Sequence, residues 1–416
     1  MPRRDSVGTD ARRAALKMLD AVLRRDETLD HAGHVYARDL EPSDAGLAQA
    51  IAGEVLRRLP LLDALIDGAT RQPLPDDSKA RMVLRMALAQ RIALDTPEHA
   101  AIATALPLVD GGPRRLVHGV LSTLFKRDLP SADEARLPDD IASRWEEAWG
   151  AEVVAAATRQ LAHRPPLDLA FKAEDAAAAF SDGVILAPRH RRLDSRAVEK
   201  LPGYKEGNWW VQDLAASLPA RLVPSSARRV LDACAAPGGK TMQLAAAGHE
   251  VTALDLSKSR LKRLRENLAR TGLSSDIVVA DLADYRADAP FDAVLLDAPC
   301  SASGTFRRHP EVLQRARPNI VEAMAGVQAR LLDASAALVA PGGHLVYATC
   351  SLEPAEGEEQ VRAFLDRHEG WSLVQDPAPF PGIAASREGW WRILPGQLDE
   401  AGGLDGFFAA HLVRAP

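Results

Sequence analysis

From Arg229 onward the chain alternates short β-branched runs with helix-forming stretches, and this alternation constrains the fold more than any other feature. "RVLDACA", "EVTALDLS", "DIVVADL", "FDAVLLDAP" and "GHLVYATC" are five strand-like runs, separated mostly by helix-like stretches such as 257–271 and 318–340. Strands that take turns with helices build a parallel sheet covered on both faces. An α/β domain is therefore predicted over 223–416, with its ligands outside the carboxyl ends of the strands.

The residues that end each run carry the chemistry. After the first comes Cys234-Ala235-Ala236-Pro237-Gly238-Gly239-Lys240-Thr241, whose glycines let the backbone approach a ligand at a helix N-terminus. Gly239-Lys240-Thr241 fits the end of a phosphate loop, but Cys234 stands where its first glycine belongs, and G-x-G-x-x-G is absent as well. Nucleoside triphosphates and NAD are disfavoured. The next three runs end on Asp255, Asp281 and Asp297. One acidic strand end is an ordinary turn former. Three in succession beside a glycine-rich loop favour an adenosine ligand without a long phosphate chain, the second-strand carboxylate taking the ribose hydroxyls. S-adenosylmethionine fits that description.

The chain has three cysteines, with no C-x-x-C, so neither a disulfide framework nor a metal site is expected. Cys300 follows the fourth run directly and Cys350 the fifth. A single cysteine is more often a small buried hydrophobe. Two at the ends of strands expected to be neighbours arrive together beside Asp297. A thiolate is soft enough to add to carbon 6 of a pyrimidine and make carbon 5 nucleophilic toward a methyl sulfonium. With an ordinary pKa of about 8.5 it needs local help. A helix opening near Pro354 would assist, and Glu353, Glu356, Glu358 and Glu359 would oppose, leaving the sign open.

Residues 10–128 read as helices. Leu16, Leu19 and Leu23 share one face, Leu47, Ile51 and Val55 another; Ser78 caps a third helix, Thr96-Pro97 opens a fourth, and Gly111-Gly112-Pro113 precedes the last. A linker spans about 129–140, Trp145 and Trp149 mark a further helix as core, and "LDLAFK" and "GVILAP" are short strands. The expected division is an all-α domain over 1–130, a linking region over 131–222 and the α/β domain over 223–416. The net charge of −6 can hide local basic surfaces, with candidates at Arg114-Arg115, Lys126-Arg127, Arg189-His190-Arg191-Arg192 and Arg307-Arg308. No apolar run reaches the roughly 18 residues of a membrane helix, and Met1-Pro2-Arg3-Arg4-Asp5 lacks a signal-peptide core. A cytoplasmic monomer is expected.

"DACAAPGGKT", "LLDAPCSASGTFRRHPEV" and "LVYATCSLEPAEGEEQV" resemble the signature blocks of RNA (cytosine-5) methyltransferases, the Sun/RsmB ribosomal RNA type in particular, across roughly 225–370. "GLDGFFAAHL" resembles the closing strand of that family, and "EHAAIATALPLV" with "PRRLVHGVLSTLFK" resembles its NusB-like RNA-binding domain. The resemblance implies a Rossmann-like class I methyltransferase domain acting on RNA, 16S ribosomal RNA as the target, and S-adenosylmethionine as cofactor. It implies Cys350 as the nucleophile, Cys300 as the aid to product release, and Asp297 as the group that hydrogen-bonds and helps protonate the cytosine ring nitrogen. Residues Cys234, Ala235, Ala236, Pro237, Gly238, Gly239 and Lys240 would hold the cofactor, with Asp255 on the ribose, Asp281 near the adenine, and Asp297 beside it. Lys240 and Arg307 are further contacts on this view. Where the family has a strand like Leu-Arg-Val-Asn, this chain reads Leu169-Ala170-Phe171-Lys172. Competing readings are a transfer RNA methyltransferase and a non-catalytic assembly factor on the same scaffold.

Overall fold

The computed structural model describes residues 8–194 and 198–416; Met1–Asp5, considered above, lie outside them. Contacts group the chain into two compact units. One carries the N-terminal residues through Glu147 together with Val154–Arg164 and Phe306–Arg315; the other carries Ala148–Val153, Pro165–Thr305 and Ala316–Pro416. Chain order alone gives no sign that 306–315 leaves one unit for the other.

The first unit is helical. Its opening helix, Thr9–Arg25, buries Ala11, Ala15, Met18, Leu19 and Val22, while Leu16 and Leu23 only flank that core. Ala11, Ala14, Ala15 and Ala21 line the contact beside Met18, Leu19 and Val22. Ser78 caps Lys79–Ala93 by accepting from the Arg81 amide at 3.2 Å. The helix Gly111–Leu124 includes both glycines in its first turn, and Glu98–Ala105 begins one residue after Pro97. Arg57 spends its guanidinium on backbone carbonyls of Leu161, His163 and Arg307. Phe306 packs on Trp145, ring centres 5.5 Å apart, and the Leu29 amide donates to Glu311.

The second unit contains two sheets. The smaller is antiparallel, in the order β2-β3-β1-β4, with β1 Leu167–Phe171, β2 Val184–Ala187, β3 His190–Leu193 and β4 Trp209–Val211. The larger comprises β5 Arg229–Ala233, β6 Glu250–Asp255, β7 Asp276–Val279, β8 Phe291–Asp297, β9 Val339–Thr349, β10 Trp371–Leu373, β11 Trp391–Ile393 and β12 Phe407–Arg414. Its order is β10-β12-β9-β8-β5-β6-β7, with β11 paired to β12. Strands β5 to β9 are parallel, as the alternation predicts, whereas β10, β11 and β12 join antiparallel. The order reverses between β5 and β8, the crevice where ligands bind in such sheets.

The basic run at 189–192 is not a solvated patch. His190, Arg191 and Arg192 are buried on β3, and Arg192 grips the fully buried Asp168 of β1 through two bonds of 2.6 and 2.8 Å. Burial raises the Asp168 carboxyl, but the Arg192 bonds and the nearby His190, its Nε2 3.6 Å away, outweigh it and hold the group below its ordinary value. Burial keeps His190 below its usual range. Arg307 is likewise buried, within the helical unit.

A buried pair that loses one partner leaves an uncompensated charge costing about 3–5 kcal/mol. Asp168→Asn is therefore expected to lower stability by that order in denaturant titration. In the parent, the carboxylate contribution is complete above the unfolded value of about 3.9 and is lost as pH falls beneath it. A neutral buried His190 adds a loss in the same direction below about pH 6.5, visible as a falling Tm on acidification.

Candidate active site

The loop after β5 turns sharply. Cys234 and Gly238 have φ of 62° and 107°, and a Cβ on Gly238 would stand 2.9 Å from the Leu264 side chain. Only glycine avoids both penalties at 238. The helix Gly239–Ala246 that follows has no side-chain cap, so its first N–H groups face outward for an anionic group. Beneath it, Thr241 donates to the buried Asp232 at 2.5 Å. Burial pushes the Asp232 carboxyl up to about 7.

Asp255, at the end of β6, is buried, and accepts from the Ala236 amide at 3.2 Å, from the Ser257 amide at 2.8 Å and from Arg260. It therefore fixes the turn at Ala236. Asp281, after β7, is exposed and accepts from the Ala283 amide. Cys234 is half-buried against the hydrophobic core. Burial, then the charges of Asp297, Asp255 and Asp232, push its thiol up to about 12, leaving it inert at neutral pH.

On the other side of the reversal, β8 and β9 are neighbours with Asp297 opposite Ala348. Lys240 reaches across the crevice and donates to Asp297 at 2.6 Å, its ammonium 5.3 Å from the centre of the Phe407 ring. Burial acts to lower the Lys240 ammonium, and the Asp297 carboxylate overcomes it, so the lysine stays charged. The two sulfurs of Cys300 and Cys350 lie 3.5 Å apart. The Cys350 sulfur, burial and the Glu356 carboxylate raise the Cys300 thiol well above its usual range.

Glu356 has a place that its position among four glutamates did not reveal. It is fully buried and accepts from the Ser301 amide at 2.8 Å, the Ser301 hydroxyl at 2.5 Å, the Ser351 hydroxyl at 2.5 Å and Gln328 at 3.1 Å. Its carboxylate thus ties the loop after Cys300 to the loop after Cys350. Glu358 is taken by Arg392, which also bonds the Ser351 carbonyl. Trp149 is half-buried rather than core: its indole N–H donates to the Leu352 carbonyl at 2.8 Å, and Arg392 lies over its ring. None of these residues stands in a strand-end position, the only signal the sequence offered.

A family model described as 16S rRNA methyltransferase RsmB/F matches residues 219–413, and a NusB family model matches residues 9–126. The ribosomal RNA small subunit methyltransferase B of Xanthomonas campestris pv. campestris is 35% identical, over 99% of this chain and 98% of that one. The chain belongs to the RsmB/F family of 16S rRNA methyltransferases. Relatives of the same name occur in Vibrio cholerae, at 33% identity over 97% of this chain and 98% of that one, and in Xylella fastidiosa, at 37% over 89% and 90%. PH0851 shares the fold, with a TM-score of 0.75 and 24% identity over 98% of this chain and 99% of that one. A methyltransferase homolog from Pyrococcus horikoshii gives a TM-score of 0.56 at 27% identity, over 67% of this chain and 95% of that one.

As a member of the RsmB/F family the protein is an S-adenosylmethionine-dependent RNA methyltransferase. The residues present fit that cofactor. The helix N-terminus at Gly239, which has no side-chain cap, suits its amino acid carboxylate, and Asp255 at the end of β6 would be the acceptor for ribose hydroxyls.

Glu356→Ala is expected to strip the partner from the buried Ser301 amide and from both hydroxyls. Each orphaned group costs about 1–3 kcal/mol, so a loss on the order of 3 kcal/mol should appear in chemical denaturation, together with faster thiol alkylation as the two loops separate.

Proposed function

We propose that this protein methylates carbon 5 of a cytosine in 16S ribosomal RNA through a covalent adduct between Cys350 and carbon 6 of the base. The observation that carries this reading is the pair of sulfurs 3.5 Å apart at the ends of adjacent strands, beside an Asp297 that holds a lysine ammonium. The base must be unpaired or extruded, because attack at carbon 6 needs the face of the ring.

Cys350 adds as thiolate to carbon 6, and the electron pair displaced from the 5,6 double bond makes carbon 5 nucleophilic. Asp297, given a proton through its short contact with the Lys240 ammonium, donates it to the ring nitrogen as the adduct forms and takes it back when Cys350 is expelled, so negative charge does not accumulate on the ring. Bound S-adenosylmethionine supplies a methyl group activated by a sulfonium, held for transfer by the 234–240 loop and Asp255. Release requires loss of the proton from carbon 5 and expulsion of Cys350. Cys300 would take that proton. The first cause that keeps its thiol protonated is Cys350 itself, and this cause weakens once Cys350 is a thioether. Cys300 thus becomes easier to ionise at the step that needs a base.

The roles of the two cysteines separate experimentally. Cys350→Ser is expected to abolish turnover. Cys300→Ala is expected to accumulate a protein–RNA adduct that survives denaturation and migrates as a slower band on a denaturing gel. Normal turnover by Cys350→Ser, measured with 16S ribosomal RNA and labelled methyl donor, would remove the mechanism.

A further inference from the structure

A second cavity, of about 270 Å³, opens at the other edge of the main sheet. Ser225 and His249, on its wall, precede β5 and β6, so it lies at the amino ends of the strands whose carboxyl ends carry the site above. The six residues of β6 separate the two edges by roughly 20 Å at about 3.3 Å per residue. The cofactor and the cysteines therefore do not account for it.

Two guanidinium groups face this cavity. Arg189, the one member of the 189–192 run that is not buried, spends one nitrogen on the Ala246 carbonyl at 3.2 Å. Arg221 donates to the Pro188 carbonyl and the Ser217 hydroxyl, both at 3.0 Å. Neither has a carboxylate partner among the described residues. Elsewhere the buried arginines Arg58, Arg81, Arg85 and Arg192 each take one, whereas buried Arg191 bonds the Phe180 and Asp182 carbonyls and buried Arg12 bonds Gln90 and the Gly8 carbonyl. Burial first, and the charge of Arg189 second, bring the Arg221 guanidinium down to about 10. Two like charges at one partly buried pocket are costly unless a negative group joins them. His249 also lines the cavity, its Nδ1 donating to the Ala227 carbonyl at 2.6 Å, which fixes the ring against the wall.

We propose that Arg189 and Arg221 form an oxyanion site that takes a backbone phosphate of the RNA substrate, away from the reacting base. The proposal rests on the RNA methyltransferase assignment. A chain of net charge −6 needs local cationic sites to hold a polyanion. Guanidinium forks match phosphate oxygens, and such contacts fix register without reading sequence.

The test uses the full-length protein with Arg189→Gln, Arg221→Gln, the double variant, and Arg221→Lys. Binding of a fluorescent 16S ribosomal RNA fragment is followed by anisotropy across a salt series. The double variant is expected to lose about 0.7–0.9 from the log–log salt slope, the share of one phosphate, with KM raised and kcat at saturating RNA unchanged. Arg221→Lys is expected to recover the slope, because it keeps the charge. Inorganic phosphate is titrated in parallel by thermal shift. A phosphate-dependent rise in Tm confined to the parent, with the RNA slope unmoved, would keep the oxyanion site but assign it to free phosphate. A lowered Tm with both the slope and the phosphate response unchanged would mean that the arginines only brace the fold, and the proposal fails. If the salt slope falls but no carbon-5 methylation is found, the proposed reaction is lost and the oxyanion site stands.

Discussion

One buried carboxylate organises the reactive rim. Two loops that leave neighbouring strands have no reason of their own to hold their first cysteines within one sulfur contact of each other, since each ordered residue costs conformational entropy of about 1–2 kcal/mol. Glu356 supplies the reason. It accepts from Ser301 on one loop and Ser351 on the other, and Gln328 closes the set. Desolvating a carboxylate is tolerable only when its lone pairs are filled, and here four donors fill them. The same backbone is held from a second side, where the Tyr347 and Thr349 hydroxyls bond the Glu356 carbonyl. The charge that fastens the loops also acts on the chemistry, because it helps keep Cys300 a thiol.

The rim divides its thiols by environment rather than by sequence. Cys234 is surrounded by three carboxylates and hydrocarbon, Cys300 by a sulfur and a carboxylate, and both are held protonated. Cys350 sits at the end of β9, its carbonyl accepting from the Gly304 amide at 3.0 Å, and its loop is pinned further along by Trp149 and Arg392. Lys240 and Asp297 span the reversal in strand order, so the pair couples the cofactor loop to the strand that carries Cys300.

Much of this was legible in the residues. Alternating runs identified β5 to β9, and the rule that consecutive parallel strands tend to be neighbours put Cys300 and Cys350 on one rim, as their 3.5 Å separation bears out. The positions of Asp255, Asp281 and Asp297 followed from strand ends in the same way. Three features did not follow. Periodicity treats a charge as solvated, so it could not tell Arg191 and Arg192, buried on β3, from surface residues. Spacing cannot distinguish Glu356 from Glu353, Glu358 and Glu359, because only tertiary donors separate them. The two tryptophans, at helical spacing, read alike, yet Trp145 is buried whole and Trp149 keeps an indole N–H for the Leu352 carbonyl.

The helical unit takes Phe306–Arg315 from far along the chain, and that arrangement matters during synthesis. Phe306 stacks on Trp145, Arg57 holds the Arg307 carbonyl, and Glu311 receives the Leu29 amide. A ribosome that has released the helices through Arg164 must still add more than a hundred residues before these partners emerge. At bacterial elongation speeds that interval is on the order of ten seconds. For that time Trp145, Arg57 and the Leu29 amide lack these partners, and a gene fragment ending near Arg164 would leave them without these partners for good.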